Sequence, residues 1–359
     1  MYKQTEFATN MFDSNLHIKI VSRIIFTFFF AALFLPQFST AQNKVIVAKK
    51  GDGIYHVLTE NGLSYSKNLD AFIELNKAQL GKDNTLIIGR KYKLPAGAGK
   101  SAKSTTTTTT KSTGKIVHYD IFGKKYADVE IKTNELKGAT YYLLAGHGGP
   151  DPGAIGSYNG KQICEDEYAY DVIIRLARDL IEKGATVYMI TRDKNDGIRD
   201  ESILKHDRDE VCYPNLTIPL NHIKRLRQRT NAVNKLYSKN KKGFNRLIVI
   251  HVDSRSRGEN IDVFFYHDKR SKTGEKAAKI LQNTFQKKYN EHQPGRGYKG
   301  TVSTRNLYVV RNTYPVAVYI ELANINHRRD IKRLIVTDNR QAVANWLAQG
   351  LVIDYKTNK

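Results

Sequence analysis

Along the carboxyl-terminal two thirds of the chain, short apolar runs alternate with segments in which apolar positions recur every three to four residues. The runs are Thr140–Leu144, Thr186–Ile190, Arg246–Ile250, Ile261–Tyr266 and Val316–Ile320. Runs this short, apolar at nearly every position, read as strands buried on both faces. Between them Tyr170, Ile173, Ile174, Leu176, Ala177, Leu180 and Ile181 form one helical stripe before Gly184, and Ala277, Ala278, Leu281 and Phe285 form another. Val343, Trp346 and Leu347 mark a last helix. This alternation predicts an α/β fold, a sheet flanked by helices on both faces.

The pattern differs before residue 116. Val45–Val47 and Lys91–Leu94 are short β-type runs. Ile54, Tyr55, Val57 and Leu58 mark one helical face between them, and Leu69, Phe72, Ile73 and Leu75 a second. Residues 44–95 therefore read as strand, helix, helix, strand: a small α+β unit. Residues 96–115, with threonines at every position from Thr105 to Thr110, have no apolar periodicity and form a Ser/Thr-rich linker. Gly99-Lys100-Ser101 in that linker is not a phosphate-binding loop. Such a loop needs a glycine where Leu94 stands, a strand before it and a helix after it.

The amino end changes the setting. Ile24–Leu35 is a mostly apolar run, preceded by Lys19 and Arg23 and followed by Pro36 and Ser39-Thr40-Ala41. That is the layout of a secretory signal peptide over residues 1–41. The run is shorter than the ~20 residues that span a bilayer, so no stable membrane span is expected once it is cleaved. At 359 residues the chain has room for about two domains. Its formal charge is +23, and removing residues 1–41, with three basic and two acidic side chains, leaves +22. Such a charge calls for an anionic partner. For an exported protein of the periplasm or cell envelope, an envelope polymer fits and nucleic acid does not. Two cysteines exclude a disulfide scaffold and a four-cysteine zinc module. Cys164 and Cys212 are compatible with one bridge or with two free thiols.

The candidate chemistry lies where strands end, as sites in open α/β sheets do. His147 follows the first strand in a glycine-rich stretch, His251 ends Leu247–Ile250, and Glu321 ends Val316–Ile320. Glu165 opens the helix that leads to Gly184. Two histidines, one carboxylate and an open position are the ligand set of a catalytic zinc. A second, non-ligating carboxylate is then needed to carry a proton, and Glu321 suits that role. His118, His206, His222, His267, His292 and His327 have no comparable setting.

These residues resemble two known families. Lys49-Lys-Gly-Asp52 with Ile54-Tyr55, Glu74-Leu-Asn76 and Ile88-Gly-Arg-Lys-Tyr-Lys-Leu-Pro95 resemble a LysM module. The resemblance implies binding to N-acetylglucosamine-containing glycan strands. Residues 138–354 resemble the zinc-dependent N-acetylmuramoyl-L-alanine amidases. The match rests on Gly146-His-Gly-Gly-Pro-Asp-Pro-Gly-Ala-Ile-Gly156, on Glu165 nineteen residues before Gly184, and on Thr191-Arg192, Arg229–Asn234, His251 and Glu321-Leu322. The sequence departs from the family pattern at Leu144, Asp253, Pro315 and Ala323.

The resemblance implies a catalytic domain over residues 116–359 in which His147, Glu165 and His251 hold Zn²⁺ and Glu321 is catalytic. Glu167 is the alternative ligand. The implied reaction is hydrolysis of the amide between N-acetylmuramic acid and L-alanine in peptidoglycan. Two rival readings remain, a non-catalytic wall-binding or regulatory protein and a zinc peptidase acting on another bond of the same polymer. Residues 193–223 are longer than the corresponding family turn and read as a lid, or as a docking segment for a protein activator.

Overall fold

The runs and stripes become the following elements in the computed structural model, which describes residues 43–49, 52–63, 65–81, 84–96, 114–255 and 257–359. The expected signal peptide, most of the linker and Lys50-Gly51 lie outside the described residues. First come β1 (Val45–Val47), α1 (Ile54–Glu60), α2 (Tyr65–Asn76) and β2 (Lys91–Lys93). β1 and β2 pair antiparallel, with Val45 opposite Lys93. Leu58, Phe72, Tyr92 and Leu94 are fully buried in a small core of their own. The Asn76 amide donates to the carbonyls of Phe72 (2.7 Å) and Lys93 (2.8 Å) and accepts from the Lys93 N–H (2.7 Å), tying α2 to β2. By backbone contacts residues 44–359 form one unit.

β3 (Ile116–His118) and β4 (Asp128–Glu130) make an antiparallel pair before β5 (Ala139–Ala145). A hairpin of β6 (Ile155–Tyr158) and β7 (Lys161–Cys164) leads straight into α3 (Glu165–Glu182), and then β8 (Thr186–Met189). β9 (Thr191–Arg192), β10 (Val211–Cys212) and β11 (Leu216–Thr217) form a small antiparallel sheet. The remainder is α4 (His222–Lys239), β12 (Phe244–Asp253), β13 (Phe264–His267), α5 (Lys272–His292), β14 (Val302–Thr304), α6 (Tyr308–Asn312), β15 (Val316–Asn324), α7 (Lys332–Ile335) and α8 (Thr337–Asn358).

The central sheet has the order β14-β13-β15-β12-β5-β8. β8, β5, β12 and β15 run parallel, and β13 joins β15 antiparallel. Alternate side chains of each central strand go to opposite faces, as the period of two requires. Tyr141 and Leu143, Ile248 and Ile250, and Val318 and Ile320 join the large core that α3, α5 and α8 cover. Tyr142 and Leu144, Leu247 and Val249, and Ala317 and Tyr319 join the second core, under α4 and α6. Each fully buried leucine or isoleucine stabilises the fold by about 1.5–3 kcal/mol. The parallel strands all direct their carboxyl ends to one edge, where three of the four sequence-selected residues sit.

α3 ends where Gly184 takes φ 85°, with its N–H donating to Ile181 and that of Ala185 to Leu180. At its start the N-cap residue, Cys164, makes no side-chain cap bond. Instead the Glu165 and Asp166 N–H groups donate to the carbonyls of Ala154 (2.9 Å) and Pro152 (3.3 Å), which holds the glycine-rich loop against the helix.

Residues 193–223 are held down rather than left as a hinged lid. Arg175 and Arg340 donate to the Arg199 carbonyl, Arg340 also to that of Glu201, and the Arg199 guanidinium pairs with Glu167. Glu210 and Ile218 lie against Gly149 of the glycine-rich loop. Cys164 and Cys212 are buried free thiols. No helix among the described residues is long and apolar enough to cross a membrane.

Candidate metal centre

His147 stands just past β5 in the left-handed backbone region, at φ 61°, a conformation few side chains adopt without support. The support comes from α4. Arg229, buried, donates to the His147 carbonyl, and Arg225 donates to the Asp151 carboxylate at 2.6 Å. Asp151 in turn lies 2.8 Å from His147 Nδ1. Burial works against ionisation of Asp151, but the His147 contact, the Gly153 N–H and Arg225 outweigh it and hold the carboxyl below its usual range. The ionised carboxylate is thus placed to accept a hydrogen bond from the Nδ1–H, with Nε2 on the other side of the ring facing Glu165 Oε2 at 3.3 Å.

Glu165 is 4 % exposed. Its Oε2 accepts from the Ala154 N–H (2.8 Å) and its Oε1 from the Val252 N–H (2.9 Å). Burial would raise this carboxyl, yet His251, His147 and the Val252 N–H together hold it below the ordinary value. His251 Nδ1 lies 2.7 Å from Glu165 Oε1. Its ring stacks on Tyr319 at 4.5 Å and meets the His147 ring edge-on at 4.9 Å. Burial lowers the His251 pKa, which favours the neutral imidazole that a metal requires.

The three residues each bring one donor atom into a group with no separation above 4.8 Å. Two glycines keep that space open. A Cβ at Gly146 would collide with the His251 ring, and one at Gly153 would come within 2.7 Å of Glu165 Oε2 and of the His147 ring. Two neutral imidazoles and one carboxylate are a donor set that borderline metals such as zinc accept. This buried His/Glu/His cluster can therefore coordinate a metal ion. Other groups of acidic side chains approach as closely, but Glu167 is engaged by Arg199 and the Asp207 N–H, and Glu210 by the Gly149 N–H. Glu167, the alternative ligand, is thus engaged elsewhere and is not part of the group with His147 and His251.

Glu321 sits directly opposite His251 in the parallel pairing of β15 with β12. It is 5 % exposed, and its Oε2 has no hydrogen-bond partner among the described residues. Oε1 lies 3.8 Å from the Arg305 guanidinium. Burial pushes this carboxyl well above the carboxylate range, and Glu165 and Asp253 add to the effect. Leaving a buried carboxylate oxygen unpaired costs stability, and such groups concentrate where chemistry needs them.

The structure thus brings His147, Glu165, His251 and Glu321 to one strand-end edge. Asp151 and Arg229 entered the sequence reading only as parts of matched stretches, with no role assigned, and Arg225 did not enter it. Asp151, four residues after His147 in the glycine-rich stretch, carried a usable signal, because a ligating histidine ordinarily gives its second ring N–H to a carboxylate.

The family model for N-acetylmuramoyl-L-alanine amidases matches residues 142–352, a stretch that contains all four residues. Among curated proteins, "Probable cell wall amidase LytH" of Staphylococcus epidermidis is 27 % identical over 227 residues, 63 % of this chain. The chain spans 61 % of the length of that relative. Among solved structures, the CwlD amidase from Clostridioides difficile in complex with the GerS lipoprotein is 17 % identical with a TM-score of 0.45, over 61 % of this chain and 100 % of that one. The catalytic domain of CwlV from Bacillus (Paenibacillus) polymyxa var. colistinus is 20 % identical with a TM-score of 0.44, over 62 % and 99 %. With the family match extending over more than half of its residues, the chain belongs to the Amidase_3 family of N-acetylmuramoyl-L-alanine amidases.

Proposed function

We propose that the protein is an exported peptidoglycan hydrolase that cuts the amide between the lactyl group of N-acetylmuramic acid and L-alanine. The observation that carries the reading is the pairing of two sets of groups on neighbouring strands. A convergent His/Glu/His cluster stands beside the buried Glu321 carboxylate, whose Oε2 has no hydrogen-bond partner among the described residues, within the matched family region. In this reading His147, Glu165 and His251 hold Zn²⁺. Zinc bound there would act as a Lewis acid and bring the pKa of its water to about 7.

The rest is the work of the chain. Asp151 and Arg225 fix the His147 ring, and the Ala154 and Val252 N–H groups fix the Glu165 carboxylate. Glu321 Oε2, with no hydrogen-bond partner among the described residues, takes a proton from the attacking water and returns it to the departing nitrogen of L-alanine. Residues 44–95 act as a LysM-like glycan-binding module. The order β1-α1-α2-β2 and the antiparallel closure of β1 on β2 support that assignment. Holding the enzyme on the wall through that module raises the local concentration of the substrate amide.

Purified residues 42–359 incubated with isolated peptidoglycan are expected to expose new L-alanine amino termini. The release should stop with a chelator and return with added zinc. Release that persists after the metal is stripped contradicts the metal assignment. A protein that sediments with the wall and releases nothing fits the non-catalytic reading instead.

Arg305 supplies a second prediction. Glu321 must be ionised to accept the first proton, so the rate falls on the acid side as the carboxyl is protonated. Arg305 is the cation that opposes its raised pKa. Arg305→Ala should therefore move the acid limb of the kcat–pH profile to higher pH. An unmoved limb, or one shifted to lower pH, would show that this guanidinium does not act on the proton-carrying group.

A further inference from the structure

The segments that build the metal centre continue beyond it into a common cavity. Past Gly153 and Ala154 the chain turns at Tyr158-Asn159, past His251 it reaches Arg257, and past Glu321 it reaches Asn326 and Arg328. These side chains line a cavity of about 440 Å³. A neighbouring depression of about 510 Å³ shares His327 and Arg328 with it and adds Lys299, Arg329 and Lys332. Short bonds tie the segments that follow His251 and Glu321 to each other there. The Ile325 N–H donates to the Asp253 carbonyl at 2.8 Å, and the Asn326 amide donates to the Arg255 carbonyl at 3.1 Å.

Five cations therefore face this cavity pair: Arg257, Lys299, Arg328, Arg329 and Lys332. Among the described residues none of them forms an ion pair, whereas Arg175, Arg199, Arg246, Arg296, Arg333 and Arg340 all pair with carboxylates. Like charges gathered without counter-charges repel one another, and an anionic ligand relieves that repulsion. Guanidinium groups in particular match carboxylates two bonds at a time.

The place of the cavity along the chain selects the anion. Ile325 lies four residues beyond Glu321, a reach of at most ~13 Å for extended chain at ~3.3 Å per residue. A substrate whose scissile amide lies at the His147–Glu165–His251 cluster would extend about that many peptide residues into the cavity. In peptidoglycan the peptide beyond that amide is the stem peptide, which bears free carboxylates. The glycan strand on the other side of the amide offers mostly neutral hydroxyls and acetamides.

We propose that this cavity binds the carboxylates of the stem peptide and so sets specificity for acidic over amidated stems. The proposal rests on the amidase reading for its ligand. A binding experiment separates the two. The probe is L-alanyl-γ-D-glutamyl-L-lysine with free carboxylates, beside the same peptide with its carboxylates amidated, titrated calorimetrically into metal-loaded residues 42–359.

The free-acid peptide should bind at least tenfold more tightly than the amidated one, and the difference should shrink as salt is raised. Arg257→Gln/Arg328→Gln should remove that preference, and Arg257→Lys/Arg328→Lys should restore part of it. On muropeptide substrates the same double glutamine variant should raise KM at least tenfold for acidic stems and leave kcat within about twofold. Equal binding of both peptides by the native chain would overturn the proposal. So would an unchanged preference in the glutamine variant, or binding only of a glycerol-phosphate polymer added as competitor. If the native chain binds the acidic peptide through these arginines yet cuts no muropeptide, the amidase reading fails and the cavity assignment stands.

Discussion

Replacing Glu321 with Gln is expected to lower kcat for amide cleavage by about 10²–10⁴-fold, the usual contribution of a positioned proton carrier. Metal content should stay as in the native chain, because Glu321 lies beside the His/Glu/His cluster and outside its donor set. The melting temperature should not fall. Glu321 Oε2 is buried with no hydrogen-bond partner among the described residues, so the fold gives up an unfavourable buried charge when the carboxylate becomes an amide of nearly the same shape. A large loss of rate, full metal occupancy and undiminished stability together define the result. A variant that retains a rate within tenfold of the native chain would remove Glu321 from proton transfer. A variant that loses its metal would make Glu321 a holder of the site.

The second large effect concerns stability. Asp171, on α3, is fully buried and accepts from Arg175 Nε at 2.8 Å and from Arg340 Nε at 2.6 Å. Arg340, on α8, is itself 0 % exposed and also donates to the carbonyls of Leu334, Arg199 and Glu201. One guanidinium thus joins α3, α8 and the start of the 193–223 excursion. Arg340→Ala strands buried carbonyls and leaves Asp171 to Arg175 and the Arg199 N–H. The expected cost is about 3–5 kcal/mol by urea unfolding, the range for breaking a buried pair from one side. Arg340→Lys should recover only part of it, since an ammonium cannot repeat the fork. A loss below about 1 kcal/mol for the alanine variant would show that the network is not a keystone.

The pH dependence has a definite sign. Burial alone would raise the Asp171 carboxyl, but the Arg340 and Arg175 charges hold it below its ordinary value. The stabilisation is therefore present above the unfolded-state carboxylate pKa and lost as pH falls through the lower folded-state value.

Much of the fold follows from two periodicities. The continuous apolar runs became the strands of the sheet because side chains of both parities are buried, as Tyr141 and Tyr142 show on opposite faces. The stripe from Tyr170 to Ile181 became α3, ended at Gly184 as expected. Ile261–Tyr266 was less regular. Its strand begins only at Phe264, because Asp262 takes φ 54° and its carboxylate is held by Arg296, Arg333 and the Lys299 N–H. Partners that far apart in sequence leave no local pattern. Arg340 and Asp171, separated by 169 positions, were illegible for the same reason.

The acidic stretch after Arg192 also reads differently once folded. Seen as sequence it is a charged excursion suited to a lid. In the structure Asp193 and Glu210 are buried, and burial pushes both carboxyls up to about 7. Glu210 accepts from the Gly149 N–H, two residues from His147. The two-residue strands β9, β10 and β11 that position it are too short to carry any periodicity. At the site itself, histidines and carboxylates at strand ends were legible because topology brings parallel strand ends together. The groups that orient them, Arg225 and Arg229, lie on the exposed-looking basic stripe of α4, and nothing local marks them for that role.

The most direct measurement is the mass of the products released from purified peptidoglycan by metal-loaded residues 42–359. Cleavage of the lactyl amide yields stem peptides that begin with a free L-alanine and glycan strands whose muramic acid carries a free carboxyl. That pair of products is the expected result. Glycan strands that still carry L-alanine would make the protein a peptidase of the stem, and shortened sugar chains would place the cut in the glycan, so either would contradict the amidase assignment.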